Sequence, residues 1–168
     1  LGKACKQIGG GLKARNIAMP QSLSLVLLHI ILSTKGRKGI LEREFRSRMH
    51  SYLASVSRNL KCECFRVGGT ADHVHLAIRL PRTICVAAMV EQLKTASSVW
   101  AKGQSPDQRT FAWQRGYGCF SISHRDLDAL VNYIDNQEQH HKKRTFQEEY
   151  RMFLHKYGVK YDEAFVWD

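Results

Sequence analysis

The chain has 168 residues, with 26 Lys and Arg against 15 Asp and Glu, which gives a formal net charge of +11. Hydrophobic residues make up 43% of the chain and aromatic residues 10%, a content that excludes extended disorder and suits one hydrophobic core. The positive charge favours a polyanionic partner such as nucleic acid. The longest apolar run, Leu23 to Leu32, is interrupted and falls far short of the ~20 residues of a membrane helix. We therefore expect no membrane association, and five cysteines without a CxxC pair favour the reducing cytoplasm.

Residues 1–18 differ in composition from the rest of the chain. They contain basic residues but no acidic ones, three consecutive glycines and no sustained hydrophobic period. We predict that residues 1–18 are a tail, of upstream or expression-vector origin, and that residues 19–168 form a single domain.

The first half of that domain alternates between strand and helix patterns. A strand that begins at Ser22 is apolar on both faces, which is typical of a central strand. Residues 45–60 have the spacing of an amphipathic helix. Residues 63–67 and 72–80 have strand patterns, and Gly68-Gly69 between them is a hairpin signal.

The second half continues with a helix, two short strands and two further helices. The first helix follows an N-cap at Thr83, and the strands cover residues 111–113 and 117–122. The next helix, over 127–139, is opened by Ser123 in a capping box. The last helix lies between the Thr145 capping box and Gly158. The order β-α-β-β-α-β predicts an α+β fold with a ferredoxin-like antiparallel sheet (βαββαβ core) and extra C-terminal helices. We expect helices on one face of this sheet and an available second face.

Two histidines share one face of the third predicted strand. The even-numbered residues from Val74 to Leu80 are all hydrophobic and predict the core face, whereas His73 and His75 project from the opposite face. Imidazoles one pleat apart can bind a single metal ion, although hydrogen-bonded or exposed histidines give the same pattern. Asp72 has the parity of the core face, so a regular strand does not direct it toward that ion.

Tyr133 and Gln137 lie one turn apart on the predicted helix over 127–139. Helical geometry places Tyr133 at the border of the hydrophobic face and Gln137 beside it. Taken separately, these positions also suit a half-buried packing tyrosine and a solvent-facing glutamine.

The ordered set of these motifs resembles the single-tyrosine HUH transposases, the small IS200-like enzymes of simple bacterial insertion sequences. The resemblance covers residues 19–168. The strings that carry it are Asp72-His73-Val74-His75-Leu76, Asn132-Tyr133-Ile134-Asp135-Asn136-Gln137, Ser33-Thr34-Lys35, Gly68-Gly69-Thr70-Ala71, Phe111-Ala112-Trp113-Gln114, Gly116-Tyr117-Gly118 and Asn136-Gln137-Glu138-Gln139-His140-His141.

The resemblance implies an HUH endonuclease fold and a metal-dependent DNA transposase. Tyr133 is then the nucleophile that leaves a 5′-phosphotyrosine bond and a free 3′-OH. His73, His75 and Gln137 are the implied ligands of Mg²⁺ or Mn²⁺. Two imidazoles and an amide carry no negative charge, so we expect weak metal binding without DNA and activity with Mn²⁺ at least equal to that with Mg²⁺.

The implied partner is single-stranded DNA with hairpin ends. The resemblance favours a homodimer with active sites shared between subunits, although a monomeric relative completes its site in cis. Candidate DNA-binding residues, each of which also suits a solvated surface, are Lys35, Arg37, Lys38, Arg79, Arg109, Arg115 and Tyr117. His29, inside the apolar first strand, is interpreted as a buried structural histidine.

Two other interpretations use the same residues. One is a domesticated HUH nuclease that acts on palindromic repeats and no longer mobilises an element. The other is a non-catalytic ferredoxin-like nucleic-acid-binding protein, which predicts that Tyr133 lies far from His73 and His75.

Overall fold

A computed structural model describes residues 23–142 and 144–167. The predicted tail over 1–18 and the predicted domain start at residue 19 lie outside these residues. The strands are β1 (Leu27–Ser33), β2 (Glu63–Gly69), β3 (His73–Arg79) and β4 (Gly118–Ile122), and the helices are α1 (Arg43–Asn59), α2 (Val86–Lys102), α3 (Leu127–Asp135), α4 (Gln137–His140) and α5 (Phe146–Lys156). Within these ranges no helix is both long enough and apolar enough to cross a bilayer.

The four strands form one antiparallel sheet in the order β2-β3-β1-β4. The predicted βαββαβ arrangement with additional C-terminal helices is therefore confirmed. β1 is central and buried along its whole length, as expected for a strand that is apolar on both faces. In the register between β1 and β3, Ile31 lies opposite His75 and Ser33 lies opposite His73.

Helices α1 and α2 cover one face of the sheet. The even-numbered residues of β1 and β3 point toward these helices, as the strand parity predicts. The largest side chains that are fully buried on this side are Ile30, Leu32, Leu41, Met49, Leu53, Leu76, Ile78, Met89, Leu93 and Phe111.

The second face of the sheet is also covered, which corrects the expectation that it is available. Ala77 of β3 packs against Leu130 and Ile134 of α3. Ile31 and Phe120 of the sheet pack against a hydrophobic stripe of α5. Because both C-terminal helices are amphipathic, they bury their apolar sides on the nearest hydrophobic surface, which is this face.

Two predicted elements in the middle of the chain differ in detail. α2 begins after Cys85 rather than Thr83, and Cys85 makes no side-chain capping bond. Residues 111–113 form a single bridge, between Trp113 and Thr34, rather than a strand. The hydrophobic pattern there has another cause, because Phe111 and Trp113 anchor the connection in the core below α1 and α2.

The predicted helix over 127–139 is interrupted at Asn136. That residue ends α3 with φ −97° and ψ 15°, and its side-chain amide donates to the carbonyl of Asn132 at 2.8 Å. Ahead of α3, Ser123 accepts from the backbone N–H of Arg125 at the start of a 3-10 turn. This bond caps the turn but replaces the predicted capping box with Asp126, whose backbone N–H donates to the Ser123 carbonyl instead. The capping box of Thr145 and Glu148 at the start of α5 is complete.

Candidate active site

His73 begins β3 and is fully buried on the second face of the sheet. Its Nδ1 lies 2.7 Å from Oδ1 of Asp72, and the Thr70 hydroxyl donates to the same carboxylate oxygen at 2.9 Å. Burial opposes ionisation of Asp72, but the hydrogen bonds from His73 and Thr70 outweigh it and hold the pKa of that carboxyl below its ordinary value. An ionised Asp72 can accept the proton of Nδ1, and in that tautomer the lone pair of Nε2 lies on the inner side of the ring and can bind a metal ion.

His75 follows one pleat later and is likewise fully buried. Its Nδ1 lies 2.8 Å from Nε2 of His29. Its Nε2 is buried and has no hydrogen-bond partner among the described residues. Burial, followed by the nearby charges of His73 and His141, lowers the pKa of His75 well below its ordinary value, so this imidazole is neutral.

Gln137 is the first residue of α4 and only 1% exposed. Its side-chain Nε2 donates to Oε1 of Glu149 at 2.9 Å, and its Oε1 lies 3.2 Å from Nε2 of His73. The interruption of the helix at Asn136 therefore leaves Gln137 over the strand, as its predicted role requires.

Glu149, near the start of α5, brings a carboxylate that sequence analysis did not assign to the site. Its Oε2 lies 3.7 Å from Nε2 of both His73 and His75, and 3.0 Å from Nε2 of His141. Burial raises the pKa of Glu149 to about 7, against a smaller lowering by His73. The sequence does hold a signal for this residue. Glu149 lies three or four positions from Phe146 and Phe153, on the hydrophobic face of an amphipathic helix.

These side chains fit a divalent cation. Ligand atoms of His73, His75 and Glu149 all lie within 4.8 Å of one another. The outer nitrogen of each ring and the amide nitrogen of Gln137 are engaged elsewhere, so two imidazole lone pairs and two oxygen acceptors converge. The separation of 3.2 Å between Oε1 of Gln137 and Nε2 of His73 matches two neighbouring ligands of an octahedral ion, which lie about 3 Å apart. An imidazole and oxygen donor set suits Mn²⁺ as well as Mg²⁺.

Tyr133, on the last turns of α3, lies beside this cluster in the same chain. The centroid of its ring is 5.9 Å from that of His75 and 5.0 Å from that of His140. It is half-buried, as the helical wheel predicts. A cavity of about 280 Å³ opens at this point and is lined by Tyr133, His140, His141, Arg144, Glu149 and Met152.

Contacts within the chain hold the tyrosine helix on its own sheet. Arg66 of β2 pairs with Asp135 at 3.1 Å, and Arg46 of α1 forms an ion pair with Glu138. Ile134 packs so closely on Gly68 that a Cβ at residue 68 would come within 2.6 Å of its Cγ2. In this arrangement Tyr133 lies beside His75 of the same chain.

The candidate DNA-binding residues are distributed over several surfaces. The guanidinium of Arg37 lies over the ring of Trp167 at 5.6 Å, and Lys35 and Lys38 beside it are exposed. Arg79 is at the far end of β3 from His73 and pairs with Glu63 at 3.4 Å. The loop after β1 thus adjoins the site, whereas Arg79 does not.

The other candidates lie on the connections that precede β4. Arg109 is exposed just after a 3-10 turn. Arg115 and Tyr117 are exposed on a loop whose shape is fixed by Lys94, since Nζ of that lysine donates to the carbonyls of residues 114, 115 and 116 at 2.8, 2.8 and 2.6 Å. Burial lowers the pKa of Lys94 to about 8.

The fold is similar to that of several solved structures, including the following two. One is a candidate transposase from Deinococcus radiodurans R1, which superposes with a TM-score of 0.56 and 21% identity over 71% of this chain and 98% of that chain. The other is a REP-associated tyrosine transposase bound to a REP hairpin, with a TM-score of 0.54 and 15% identity over 73% of this chain and 74% of that chain. At such identities the likeness shows the fold alone.

No curated protein sequence matches the chain. The family model described as "Transposase IS200 like", however, matches residues 22–137. That range is more than half of the chain and includes both the His73-Val74-His75 strand and the helix that carries Tyr133 and Gln137. The resemblance drawn from these motifs is thereby confirmed, and the chain belongs to the IS200-like transposase family.

Proposed function

We propose that the protein cuts and rejoins single-stranded DNA through a covalent bond to Tyr133, as a transposase of an insertion sequence. The observation that carries the proposal is the position of the Tyr133 ring, 5.9 Å from the ring of His75 and on the wall of the open cavity. In this reaction the phenol oxygen attacks a phosphodiester and loses its proton. The bond from phosphorus to the 3′ oxygen breaks, and that oxygen takes up a proton and leaves as a 3′-OH.

The buried cluster would supply the electrophilic assistance that a phenol needs at neutral pH. His73, His75, Gln137 and Glu149 would hold Mg²⁺ or Mn²⁺, which when bound acts as a Lewis acid on the phosphodiester. Asp72 and the backbone of β3 orient His73, and the cover formed by α3 and α5 keeps water away from the ligands. Arg144, on the wall of the cavity, is placed to attract the phosphate backbone.

Hairpin-bearing single-stranded DNA is the substrate class that the proposal names. One structural neighbour is itself bound to a REP hairpin, and the described residues carry exposed cations on the loop after β1 and the loop before β4. Stacking of bases on Tyr117 and contacts from Lys35, Lys38, Arg109 and Arg115 would hold the strand without reading much sequence.

The proposed active site is completed in cis. This arrangement differs from the expected homodimer with active sites shared between subunits. It is supported by the ion pairs within the chain of Asp135 of α3 with Arg66 of β2 and of Glu138 of α4 with Arg46 of α1. The interpretation as a non-catalytic binding protein expects Tyr133 far from the histidines, and the observed ring distance speaks against it.

The deciding experiment mixes the protein with hairpin-bearing single-stranded oligonucleotides and Mn²⁺ and tests for a protein–DNA adduct that survives denaturant. We expect an adduct with the wild type and none with Tyr133→Phe, which keeps the ring packing and loses only the nucleophile. Tyr52→Phe, on α1 at the opposite face of the sheet, where the ring stacks on Trp100, is the matched control and should still form the adduct.

Two further measurements complete the test. His73→Ala should bind the oligonucleotide in fluorescence anisotropy with wild-type affinity and fail to cleave it. An adduct that persists in Tyr133→Phe would show that another residue is the nucleophile, and DNA binding without any adduct in the wild type would favour the non-catalytic interpretation.

A further inference from the structure

His29 is a buried histidine for which the proposed reaction has no role so far. It lies in the middle of β1, is 1% exposed, and faces the same side of the sheet as His75. β1 pairs with β3 so that His29 lies opposite Ala77 and Ile31 lies opposite His75. His29 and His75 are therefore diagonal neighbours on one face, close enough for their side chains to meet.

The two imidazoles form a specific pair rather than a general packing contact. Their centroids are 5.0 Å apart and their planes differ by only 23°, so the two rings lie end to end and nearly coplanar. Nε2 of His29 is 2.8 Å from Nδ1 of His75. One of these two nitrogens must carry the proton of the bond, so the tautomer of one ring fixes that of the other.

The Nε2 atom of His75, which points into the site, shows which tautomer of this residue can bind a metal ion. Nε2 of His75 has no hydrogen-bond partner among residues 23–142 and 144–167, and it faces Glu149 Oε2 at 3.7 Å. An orphaned polar atom in a core costs free energy unless something occupies its lone pair. A lone pair at Nε2 requires the proton at Nδ1, and that proton can only be accepted by a neutral Nε2 of His29.

We propose that His29 is a positioning residue that holds His75 in its metal-binding tautomer and orientation. The inference rests on the proposed metal-assisted function of the site. His29 would serve His75 as Asp72 serves His73, with a neutral imidazole in place of a carboxylate. It also contacts the nucleophile, because its ring meets the Tyr133 ring edge-on with centroids 6.3 Å apart.

The contacts of His29 allow the positioning role to be separated from packing. Its ring lies among Tyr133, Phe120 and Phe153, the last with a centroid separation of 5.0 Å. His29→Phe therefore keeps an aromatic ring in an aromatic setting and removes only the hydrogen bond to His75. His29→Gln loses the ring but offers an amide oxygen that can accept the proton at Nδ1.

The experiment measures Mn²⁺ binding to metal-free protein without DNA, by electron paramagnetic resonance of the free ion, alongside thermal unfolding. We expect His29→Phe to weaken Mn²⁺ binding by about 10- to 100-fold, and His29→Gln to recover most of that loss even though it disturbs the packing more. His50→Phe is the control, because His50 is a partly buried histidine of α1, on the opposite face of the sheet, whose Nε2 also lacks a partner in the described part of the chain.

The outcomes distinguish this inference from the proposed function. If the wild type binds Mn²⁺, His73→Ala does not, and His29→Phe binds like the wild type, the positioning role is wrong and the metal site stands. The positioning role is equally wrong if Mn²⁺ affinity follows thermal stability across the variants, so that His29→Gln binds Mn²⁺ more weakly than His29→Phe. If His73→Ala binds Mn²⁺ like the wild type, the proposed metal site fails and the role of His29 fails with it.

Discussion

Glu149 changes the chemistry expected of the site more than any other single residue. Two imidazoles and one amide form a neutral ligand set, for which weak metal binding without DNA is expected. A carboxylate 3.7 Å from both histidine Nε2 atoms adds a negative charge at the point where a cation would lie. We therefore expect the metal-free site to be less stable than the metal-bound site at neutral pH, because the carboxylate charge is then buried without a compensating cation.

This expectation predicts a pH-dependent difference between the wild type and Glu149→Gln. Burial raises the pKa of Glu149 from 4.5 to about 7, so the folded state holds this proton more tightly than the unfolded state. The stabilisation of the folded state by the protonated Glu149 carboxyl is complete below pH 4.5 and is lost as the pH rises through 7. In urea unfolding with EDTA, the wild type should lose roughly 3 kcal/mol relative to Glu149→Gln between pH 4.5 and 8.

The control is Glu44→Gln, a substitution at an exposed position of α1, whose difference from the wild type should not change over the same range. A constant difference between Glu149→Gln and the wild type from pH 4.5 to 8 would show that the carboxylate is not held neutral by burial.

For single residues, the sequence predicts those positions that follow from the two-residue repeat of a strand or the 3.6-residue repeat of a helix. The shared face of His73 and His75 follows from strand parity, and the neighbouring positions of Tyr133 and Gln137 follow from helical spacing. The roles of these residues in the site were implied by the family resemblance. Asp72 was excluded as a ligand by parity, and it contacts the outer nitrogen of His73 instead. Glu149 and His29 could not be assigned in the same way, because their roles depend on how α5 and β1 meet β3, which no local pattern encodes.

The tyrosine helix is positioned at the level of elements by an unusually close approach to β2. Gly68 lies opposite His75 in the sheet, and Ile134 covers it from α3. A side chain at residue 68 would meet both the Cγ2 atom of Ile134 at 2.6 Å and its backbone oxygen at 2.8 Å. Only a glycine at this position lets α3 lie near enough for Tyr133 to reach the ring of His75.

Gly68→Ala should therefore displace α3, since the backbone oxygen of Ile134 cannot rotate away as a side chain can. We expect a loss of about 1–3 kcal/mol in the free energy of unfolding and a slower formation of the DNA adduct. Gly39→Ala is the matched control, because a Cβ there meets only the Cβ of Ala71 at 3.5 Å, an ordinary contact. Wild-type stability together with a wild-type rate in Gly68→Ala would show that this approach does not set the position of the helix.

The elements themselves were largely predictable, because strand and helix periods are strong where they are long. The order of the strands, the central position of β1 and the capping box at Thr145 all follow from the sequence. The break at Asn136 and the bridge at Trp113 were missed, since side-chain capping of Asn136 and the burial of Phe111 and Trp113 override the local pattern. The packing of helices on the second face of the sheet was missed for a related reason. The hydrophobic stripes of α3 and α5 were predicted, but the sequence did not show that both pack on this face.

The whole molecule brings every group of the proposed site together within one chain. β3 supplies two histidines, α3 the tyrosine, α4 the glutamine and α5 the carboxylate. Asp135 of α3 pairs with Arg66 of β2, and Glu138 of α4 pairs with Arg46 of α1, both within this chain. In a dimer that exchanged this helix, the same contacts would form between the two subunits instead, so the two arrangements are separated by mixing inactive variants.

A mixture of two inactive variants tests this arrangement. Tyr133→Phe and His73→Ala, combined in equal amounts and refolded together, should form no adduct when each chain completes its own site. A dimer with exchanged tyrosine helices would instead pair intact histidines with an intact tyrosine in one site of each mixed dimer. Recovery of about a quarter of the wild-type activity would therefore overturn assembly in cis.

The position of α5 also determines when, during synthesis, the protein can acquire a complete site. The histidines and Tyr133 leave the ribosome before Glu149 does, and the second face of the sheet stays uncovered until the stripe of α5 from Phe146 to Leu154 follows. A nascent chain can thus present its basic loops to DNA while the cluster of His73, His75, Gln137 and Glu149 is still incomplete. Under the proposed function, competence to cut a strand is gained only after α5 has been synthesised, in the same step that closes the fold.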